Sequence, residues 1–370
     1  MKDPIWVAGQ ASLDRLVNSL AQQGLIAVDT ESNSLYAYQE QVCLIQFSAG
    51  SNDYLVDPLA KLGLEKLGPI FADPQIEKVF HAAEYDLICL KRDFGFAFNN
   101  LFDTMQAARI LGKSGLGLGT MLEQQFGIQA DKRLQRANWA RRPLSAEMMA
   151  YARMDTHYLV ALREMLKQEL VDANRWELAE EDFSRLTLVP AGNHENGGGS
   201  WWRLSGVQDL SPRQAAVLME LFSYRDERAK AMNQPPFRVI PNQTLVELAR
   251  LMPRKRSEFH QIYGLSPKLV DRFGDGILEA VGRGIIGPPA YRPQVQRPSD
   301  MVLGRMETLR NWRKLTAREM GVESDIVLPR DVLEVIADRN PQGMEDLHNI
   351  MEVLPWRLDR FGRDILKALN

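Results

Sequence analysis

Cysteines and long hydrophobic runs are scarce in this chain. Its 370 residues include 2 cysteines. Cys43 lies in a strand-like segment and Cys89 in a helix-like one, which favours two buried thiols over a disulfide or a zinc site. Residues 1–6 lack the apolar core of a signal peptide, and no apolar stretch is long enough to cross a bilayer. We therefore expect a soluble, cytoplasmic protein without a membrane partner.

A strong charge of either sign is also lacking. The chain has 45 Lys and Arg against 48 Asp and Glu, a net charge of −3. Residues 1–200 contain 19 basic and 26 acidic side chains, a net of −7, and residues 201–370 contain 26 and 22, a net of +4. The acidic part is compatible with a site that holds cations. The second part is compatible with a polyanion, although its charge is well short of that of a strongly basic domain.

Carboxylates in the first 155 residues carry the main functional signal. Asp29 and Glu31 follow the apolar residues 25–28, which predict a buried strand, and residues i and i+2 of a strand point to the same face. Like charges this close repel each other unless a cation or a basic partner neutralises them. For Asp-x-Glu alone, a polar loop after a strand is the alternative interpretation.

Two further acidic residues lie on predicted helices. Asp86 is near the start of a helix that follows a strand-like segment, where a carboxylate also has favourable first-turn electrostatics. Residues 145–159 predict another helix, which begins with an imperfect capping box at Ser145. Tyr151 and Asp155 are four residues apart and so share one face of that helix. Clustered carboxylates are the oxygen ligands that divalent cations need for phosphoryl transfer.

The order and spacing of these residues resemble the three motifs of the DEDD superfamily of 3′-5′ exonucleases. The motifs are Asp29-x-Glu31, His81-x4-Asp86 and Tyr151-x3-Asp155. The tyrosine is typical of the tyrosine-type branch. Residues 101–109 and 139–145 resemble segments of the ribonuclease D family.

This resemblance implies a two-metal mechanism. Two divalent cations, Mg²⁺ or Mn²⁺, would be held around the terminal phosphodiester by four carboxylates. These are Asp29, Glu31, Asp86 and Asp155. Tyr151 would orient the attacking water, because a phenol with a pKa of about 10 is a poor base at neutral pH. His157 lies two residues beyond Asp155, projects to a different side of the helix and is a weaker candidate for a base.

A basic segment directly precedes the third motif. Its members are Lys132, Arg133, Arg136, Arg141 and Arg142, with Gln135 and Trp139 between them. The segment is either a solvated surface or a grip on the phosphates and a base of the incoming 3′ strand, where stacking contributes about 1 to 3 kcal/mol per base. We favour the second interpretation. The predicted substrate-binding residues are Lys132, Gln135, Trp139, Arg141 and Arg142.

Two other features have simpler explanations. Asp103 precedes a helical pattern and is better explained as a helix N-cap than as a metal ligand. Gly115-x-Gly117-x-Gly119 lacks the spacing of a dinucleotide-binding motif and follows no predicted strand. We expect a flexible loop there.

An internal repeat occupies the second half of the chain. A shift of 88 residues superposes two segments without a gap, most clearly Asp-Arg-Phe-Gly at 271–274 and again at 359–362. Such a match predicts two copies of one helical domain. The copies resemble the HRDC domain, shared by RecQ-type helicases and ribonuclease D, and the resemblance implies nucleic-acid binding, with scaffolding as the alternative. Candidate phosphate contacts in the first copy are Arg254, Lys255, Arg256 and Lys268.

The chain is long enough for two or three domains. Strand patterns occupy residues 25–29, 42–47, 53–56 and 78–80, and mainly helical patterns follow from 87 to 179. Residues 191–200 and 287–298 have the glycine-rich and proline-rich composition of linkers. We expect an α/β exonuclease domain of ribonuclease H-like fold at 1–190, with a mixed sheet flanked by helices. Two all-α HRDC-like domains are expected at 201–286 and 299–370.

These expectations describe a metal-dependent 3′-5′ exoribonuclease, a monomer whose partner is RNA. It would trim the 3′ ends of structured RNA such as tRNA precursors and release nucleoside 5′-monophosphates. One alternative is a 3′-5′ DNA exonuclease, since the four carboxylates serve either polymer. The other is a nucleic-acid-binding protein whose nuclease site has lapsed, which requires the loss of an acidic ligand, and none of the four is missing.

Overall fold

The computed structural model describes residues 2–129, 131–192, 201–293 and 297–369. The chain divides into two compact units. The first comprises Met1–Ser32, Val42–Gly192 and Arg297–Asn370, and the second comprises Asn33–Gln41 and Asn193–Gln296. Residues 193–200 and 294–296, which are parts of the two predicted linkers, lie outside the described residues. The predicted domain boundaries stay a prediction.

One mixed sheet organises the first unit. In the described part of the chain its strands are β1 (Ile5–Val7), β2 (Leu25–Ser32), β3 (Val42–Ala49), β4 (Asn52–Val56), β5 (Glu77–Phe80) and β6 (Leu101–Asp103). Their order is β1-β4-β3-β2-β5-β6. β3 is antiparallel to β2 and β4, and the other neighbours are parallel. The predicted mixed sheet and its four predicted strands are confirmed. β1 and β6 were not predicted, because three residues are too few to show a period of two.

Helices pack on this sheet and place the site. They are α1 (Gln10–Leu20), α2 (Gly68–Ala72), α3 (Glu84–Phe94), α4 (Thr104–Ile110), α5 (Leu118–Phe126), α6 (Ala146–His157), α7 (Leu159–Asp172) and α8 (Trp176–Thr187). β3 is buried at every position, so both of its faces are covered. Helix α6 packs against β2, β3 and β4, and α7 packs against β2 and β5. Residues on α6 therefore lie over the strand that carries Asp29.

Side-chain caps explain where two of these helices begin. The Asp103 carboxylate accepts hydrogen bonds from the backbone N–H groups of Met105 (2.8 Å) and Gln106 (3.1 Å) at the start of α4. The Ser145 hydroxyl accepts one from the N–H of Met148 (3.2 Å) at the start of α6. Each bond satisfies an N–H that has no partner inside the helix. The predicted N-cap at Asp103 is confirmed, and Ser145 also acts as a cap.

The internal repeat appears as two equivalent sets of helices. The first set is α9 (Pro212–Ala231), α10 (Pro236–Val239), α11 (Asn242–Leu251) and α12 (Pro267–Ile286), with a 3₁₀ helix at Arg256–Gln261. The second is α13 (Asp300–Met320), α14 (Ser324–Val327), α15 (Arg330–Arg339), α16 (Met344–Ile350) and α17 (Pro355–Leu369). Equivalent helices begin 88 residues apart, so the predicted duplication is confirmed.

An arginine of the long first helix makes the same contact in both copies. Arg225 donates through Nη1 to the carbonyl of Ile240 (3.1 Å) in the first copy, and Arg313 donates to the carbonyl of Leu328 (2.8 Å) in the second. Both bonds join the long first helix to the residue that directly follows the short second helix of the copy. A shared sequence pattern thus produces a shared internal contact.

Helix α17 of the second copy is fixed to α8 within the first unit. The side chain of Arg357 is fully buried and pairs with Glu181 and Asp182, each at 2.8 Å. Arg357 also donates to the carbonyl of Ile326 at 2.9 and 3.1 Å. The Glu181 carboxylate in turn accepts from the backbone N–H of Trp356. A buried charge with this many partners holds the second copy to helix α8.

Two expectations about composition can be compared with the structure. Cys43 and Cys89 are both buried thiols, as predicted. No helix within the described residues has the length and apolar character needed to cross a membrane.

Candidate active site

Three of the predicted carboxylates meet at one point. Asp29 and Glu31 lie on β2 and Asp155 lies on α6. One carboxylate oxygen from each of them can be chosen so that all three atoms lie within 4.8 Å of one another. Because α6 packs on β2, this arrangement joins residues more than 120 positions apart.

Asp86 lies beside this group. It is on the first turn of α3, is 7% exposed, and accepts a hydrogen bond from the hydroxyl of Thr30. Thr30 stands between the two acidic residues of β2, so this bond joins α3 to β2. Burial, and after it the charge of Asp86, raises the pKa of Asp155. The fourth predicted carboxylate is therefore part of the same electrostatic cluster.

The cluster resists ionisation when no cation is present. Burial and then the charge of Asp155 raise the pKa of Asp29. Burial, with Asp29 as the next cause, raises the pKa of Glu31 to about 10. Burial followed by the charge of Asp86 raises the pKa of Asp155 to about 7. Divalent cations reverse this repulsion, and a set of carboxylate oxygens is the donor set that hard cations prefer. The residues therefore fit a divalent metal site.

Gln46 supports the same conclusion and was missed by the sequence reasoning. It pairs with Asp29 across β2 and β3, so both side chains lie on the same sheet face. Gln46 is fully buried, yet neither its Oε1 nor its Nε2 has a hydrogen-bond partner among the described residues. A buried amide without partners beside a carboxylate is suited to orient that carboxylate or a water at the site. Its signal in the sequence is a polar residue within an apolar strand.

Tyr151 lies one helical turn before Asp155 and lines the same cavity. Burial, followed by the charges of Asp155, Glu31 and Asp29, raises the pKa of its hydroxyl, and a hydrogen bond with Gln135 opposes this rise. The hydroxyl therefore stays protonated at neutral pH and can donate a hydrogen bond. This property suits the predicted role of orienting water rather than that of a base.

A cavity of about 790 Å³ opens over the carboxylates. Its polar lining includes Asp29, Glu31, Tyr151 and Asp155. Other lining residues are His81, Leu118, Leu122, Gln135 and Met154. A cavity with an acidic group and apolar side chains is suited to a nucleotide, whose phosphate needs cations and whose base needs apolar contact.

Two predicted substrate-binding residues are corrected by the structure. Trp139 is 1% exposed and lies in a hydrophobic cluster with Cys43, Leu44 and Leu55. Its ring is 5.9 Å from that of Tyr151, so it supports that tyrosine and has no face free for a base. The prediction of base stacking by Trp139 is wrong, because its aromatic ring completes a core.

Arg142 likewise has structural partners in place of phosphates. Its guanidinium pairs with both oxygens of Asp57 at 2.6 and 2.8 Å. It also donates to the carbonyls of Cys43 (2.6 Å), Trp139 (2.7 Å) and Arg141 (2.9 Å). Every side of this guanidinium is engaged, so the predicted phosphate contact is corrected to a bond that fixes the loop before α6.

The other predicted substrate contacts have mixed positions. Gln135 is exposed and lines the cavity. Arg141 is exposed. The side chain of Lys132 lies outside the part of the chain that the structure describes. Binding of RNA by these three residues stays a prediction.

Three weaker candidates have structural partners. His157 Nδ1 lies 2.9 and 3.0 Å from the two oxygens of Asp53, which fits its low rank as a base. Asp103 accepts from the backbone N–H groups of Ala82 (3.1 Å) and Ala83 (2.8 Å) besides capping α4. It thus positions the turn that leads to Asp86. The prediction of a flexible loop is wrong for Gly119, which lies within α5, and Gly117 is the N-cap residue of that helix.

Known families and proteins match nearly the whole chain. The family model described as 3′-5′ exonuclease matches residues 4–171, and the HRDC domain model matches residues 214–281 and 302–369. The chain is 31% identical over 366 residues to ribonuclease D of Jannaschia sp. (strain CCS1), which covers 95% of this chain and 91% of that protein.

Two other matches are to a longer relative and to a solved structure. It is 31% identical over 330 residues to Protein RRP6-like 1 of Arabidopsis thaliana, covering 85% of this chain. The match spans 50% of that protein, so the chain corresponds to about half of that relative's length. The crystal structure of Escherichia coli RNase D matches with a TM-score of 0.70 and 22% identity, over 95% of this chain and 100% of that one. This likeness shows a shared fold.

Proposed function

The chain belongs to the ribonuclease D family of 3′-5′ exoribonucleases, and we propose that it trims the 3′ ends of structured RNA such as tRNA precursors. The products would be nucleoside 5′-monophosphates. The observation that carries this proposal is the group of Asp29, Glu31 and Asp155, whose oxygens lie within 4.8 Å of one another beneath an open cavity. The E. coli relative is described as an exoribonuclease involved in structured RNA processing, which supports RNA as the polymer.

Exonucleases of this family depend on divalent metal ions, and the acidic cluster is suited to hold them. We propose two ions, Mg²⁺ or Mn²⁺, held by Asp29, Glu31, Asp86 and Asp155. When bound, such ions neutralise charge at the scissile phosphate and lower the pKa of water. The carboxylates supply the fixed negative charge that holds the ions at this point of the cavity.

The remaining residues orient the reactants. Tyr151 stays protonated, so its hydroxyl can donate to and position the attacking water beside the phosphate. Gln135 hydrogen-bonds Tyr151 from the cavity side, and Trp139 packs against the tyrosine ring from the core. Gln46 would orient Asp29 through its free amide. These supports matter because small displacements of reacting groups are costly in rate.

Contacts farther along the RNA are proposed for exposed cations. Lys132 and Arg141 precede helix α6 and would contact phosphates near the 3′ end. In the first HRDC-like copy, Arg254, Lys255 and Lys268 are exposed, as phosphate contacts require. Domain boundaries at 1–190, 201–286 and 299–370, a monomeric state and a cytoplasmic location complete the proposal.

A direct test is to incubate a tRNA bearing extra 3′ residues with the protein and to size the products, with and without EDTA. We expect stepwise shortening from the 3′ end that EDTA abolishes. A matched DNA strand tests the alternative of a DNA exonuclease. Equal or faster shortening of the DNA would contradict the choice of RNA, and binding without shortening would favour a lapsed nuclease.

A further inference from the structure

His81 lies in the cavity beside the carboxylates, and the proposed mechanism gives it no role. It follows β5 directly and precedes α3. His81 lines the cavity that Asp29, Glu31 and Asp155 also line. It is not one of the residues whose oxygens or nitrogens converge as a candidate metal group.

Hydrogen bonds determine which nitrogen of the imidazole carries the proton. The hydroxyl of Thr104 donates to the carbonyl of Phe80 at 3.1 Å, and a carbonyl oxygen can only accept. His81 Nδ1 lies 2.9 Å from the same hydroxyl oxygen. We assign the single proton of Thr104 to the bond with Phe80, so that Nδ1 donates its own proton to the Thr104 hydroxyl. Nε2 of the neutral ring therefore carries a lone pair.

The surroundings keep this arrangement in place. Thr104 is fully buried at the first position of α4, so the ring has a fixed anchor. Burial lowers the pKa of His81, and the charge of Asp103 acts in the opposite direction. Among the described residues none hydrogen-bonds Nε2, and Nε2 is not one of the buried polar atoms left without a partner. The lone pair is therefore open to the cavity.

An acceptor in this place can bind only a donor. Phosphate oxygens are acceptors and are excluded, and Mg²⁺ or Mn²⁺ prefer the oxygen ligands next to it. The donors that a 3′-terminal nucleotide brings close to its own phosphodiester are the hydroxyls of its ribose. Resting on the proposed function, we propose that His81 Nε2 accepts a hydrogen bond from a hydroxyl of the 3′-terminal ribose. His81 is then a specificity residue for the sugar.

The test compares three RNAs of one sequence that end in ribose, in 2′-deoxyribose or in 3′-deoxyribose. For each, kcat/KM is measured for removal of the last nucleotide. With the wild-type protein, one of the two deoxy ends should be removed about tenfold more slowly, the factor that corresponds to one lost hydrogen bond. The identity of the slow substrate tells whether the 2′ or the 3′ hydroxyl is bound.

The variant His81→Asn retains an amide donor for Thr104 and lacks an acceptor at the position of Nε2. In this variant we expect the ratio of kcat/KM for the ribose end to kcat/KM for the slower deoxy end to fall towards one. His348→Asn, an exposed histidine on α16, is the matched control and should keep the wild-type ratio. Thr104→Val, which removes the hydroxyl that orients the ring, should also lower the ratio and serves if His81→Asn does not fold.

Two results would overturn the proposal. One is a ratio that stays at the wild-type value in His81→Asn. The other is an equal loss of kcat/KM on all three RNAs in His81→Asn, which would mean that His81 supports the fold or contacts the base. Inhibition by adenosine 5′-monophosphate and its two deoxy forms gives a second readout, and should lose its sugar preference in the same variant. Failure of the proposed function looks different, because the wild-type protein would then shorten none of the three RNAs.

Discussion

Removal of the buried Arg357 should destabilise the first unit strongly. Arg357 is fully buried, and its partners Glu181 and Asp182 have side chains that are 5% and 10% exposed. Substitution by methionine preserves much of the volume but leaves two carboxylates buried without their cation. Breaking a buried pair from one side costs about 3 to 5 kcal/mol. We expect Arg357→Met to lower the free energy of unfolding by about that amount.

The size of the loss should depend on pH in a defined direction. Burial raises the pKa of Glu181, and Arg357 opposes this rise. Without Arg357 the pKa in the folded state rises further above its value in the unfolded chain, which is about 4.3. Folding then favours protonated Glu181. The variant therefore loses the least stability below about pH 4.3, and it loses more stability as the pH rises.

Urea unfolding followed by far-ultraviolet circular dichroism measures the effect, at pH 4 and at pH 7.5. Arg363→Met is the matched control, because Arg363 is an exposed arginine on the same helix α17, and it should change the unfolding free energy by less than about 0.5 kcal/mol. Adding Glu181→Gln to Arg357→Met should recover part of the loss. Equal losses in the two arginine variants, or the same loss at both pH values, would refute the reasoning.

Three further predictions concern the site. Asp155→Asn should remove most turnover of a 3′-labelled RNA while leaving RNA binding in a filter assay largely intact, and wild-type turnover would rule out Asp155 as a ligand. Tyr151→Phe should lower turnover by about 10²-fold or more, as expected for a group that handles the attacking water; an unchanged rate would make Tyr151 structural. Gln46→Met should weaken Mn²⁺ binding by about tenfold in calorimetry, and unchanged affinity would show that its amide does not support the metal site.

Local patterns in the sequence predicted much of this molecule. The apolar run at 25–28 and the helical spacing around Asp86 and Asp155 each depend on residues within a few positions of one another. Such spacing is set by the geometry of the strand or helix itself. The cap at Asp103 is equally local, and the repeat needs only a comparison of the chain with itself. The strand, the helices, the cap and the repeat predicted from such patterns are all present in the structure.

Other features depend on partners far away along the chain. Trp139 and Arg142 are residue types that are typical of RNA contacts. In the folded structure, however, they contact Cys43 and Asp57, which lie more than 80 residues earlier in the chain. A pattern of basic and aromatic residues does not reveal whether a core or a carboxylate will meet it. Gln46 was overlooked for the same reason, because its place beside Asp29 follows from strand register.

The motifs of this protein thus predict its chemistry, and its packing decides which residues support the site. Four carboxylates and a tyrosine predict a phosphodiester site because their type and spacing are chemical requirements that any fold must meet. Burial, tautomer and ion pairing depend on which distant groups come within hydrogen-bonding distance. The hydrogen bond of His81, the partners of Arg142 and the ion pairs of Arg357 depend on such distances, so they form only when the chain folds.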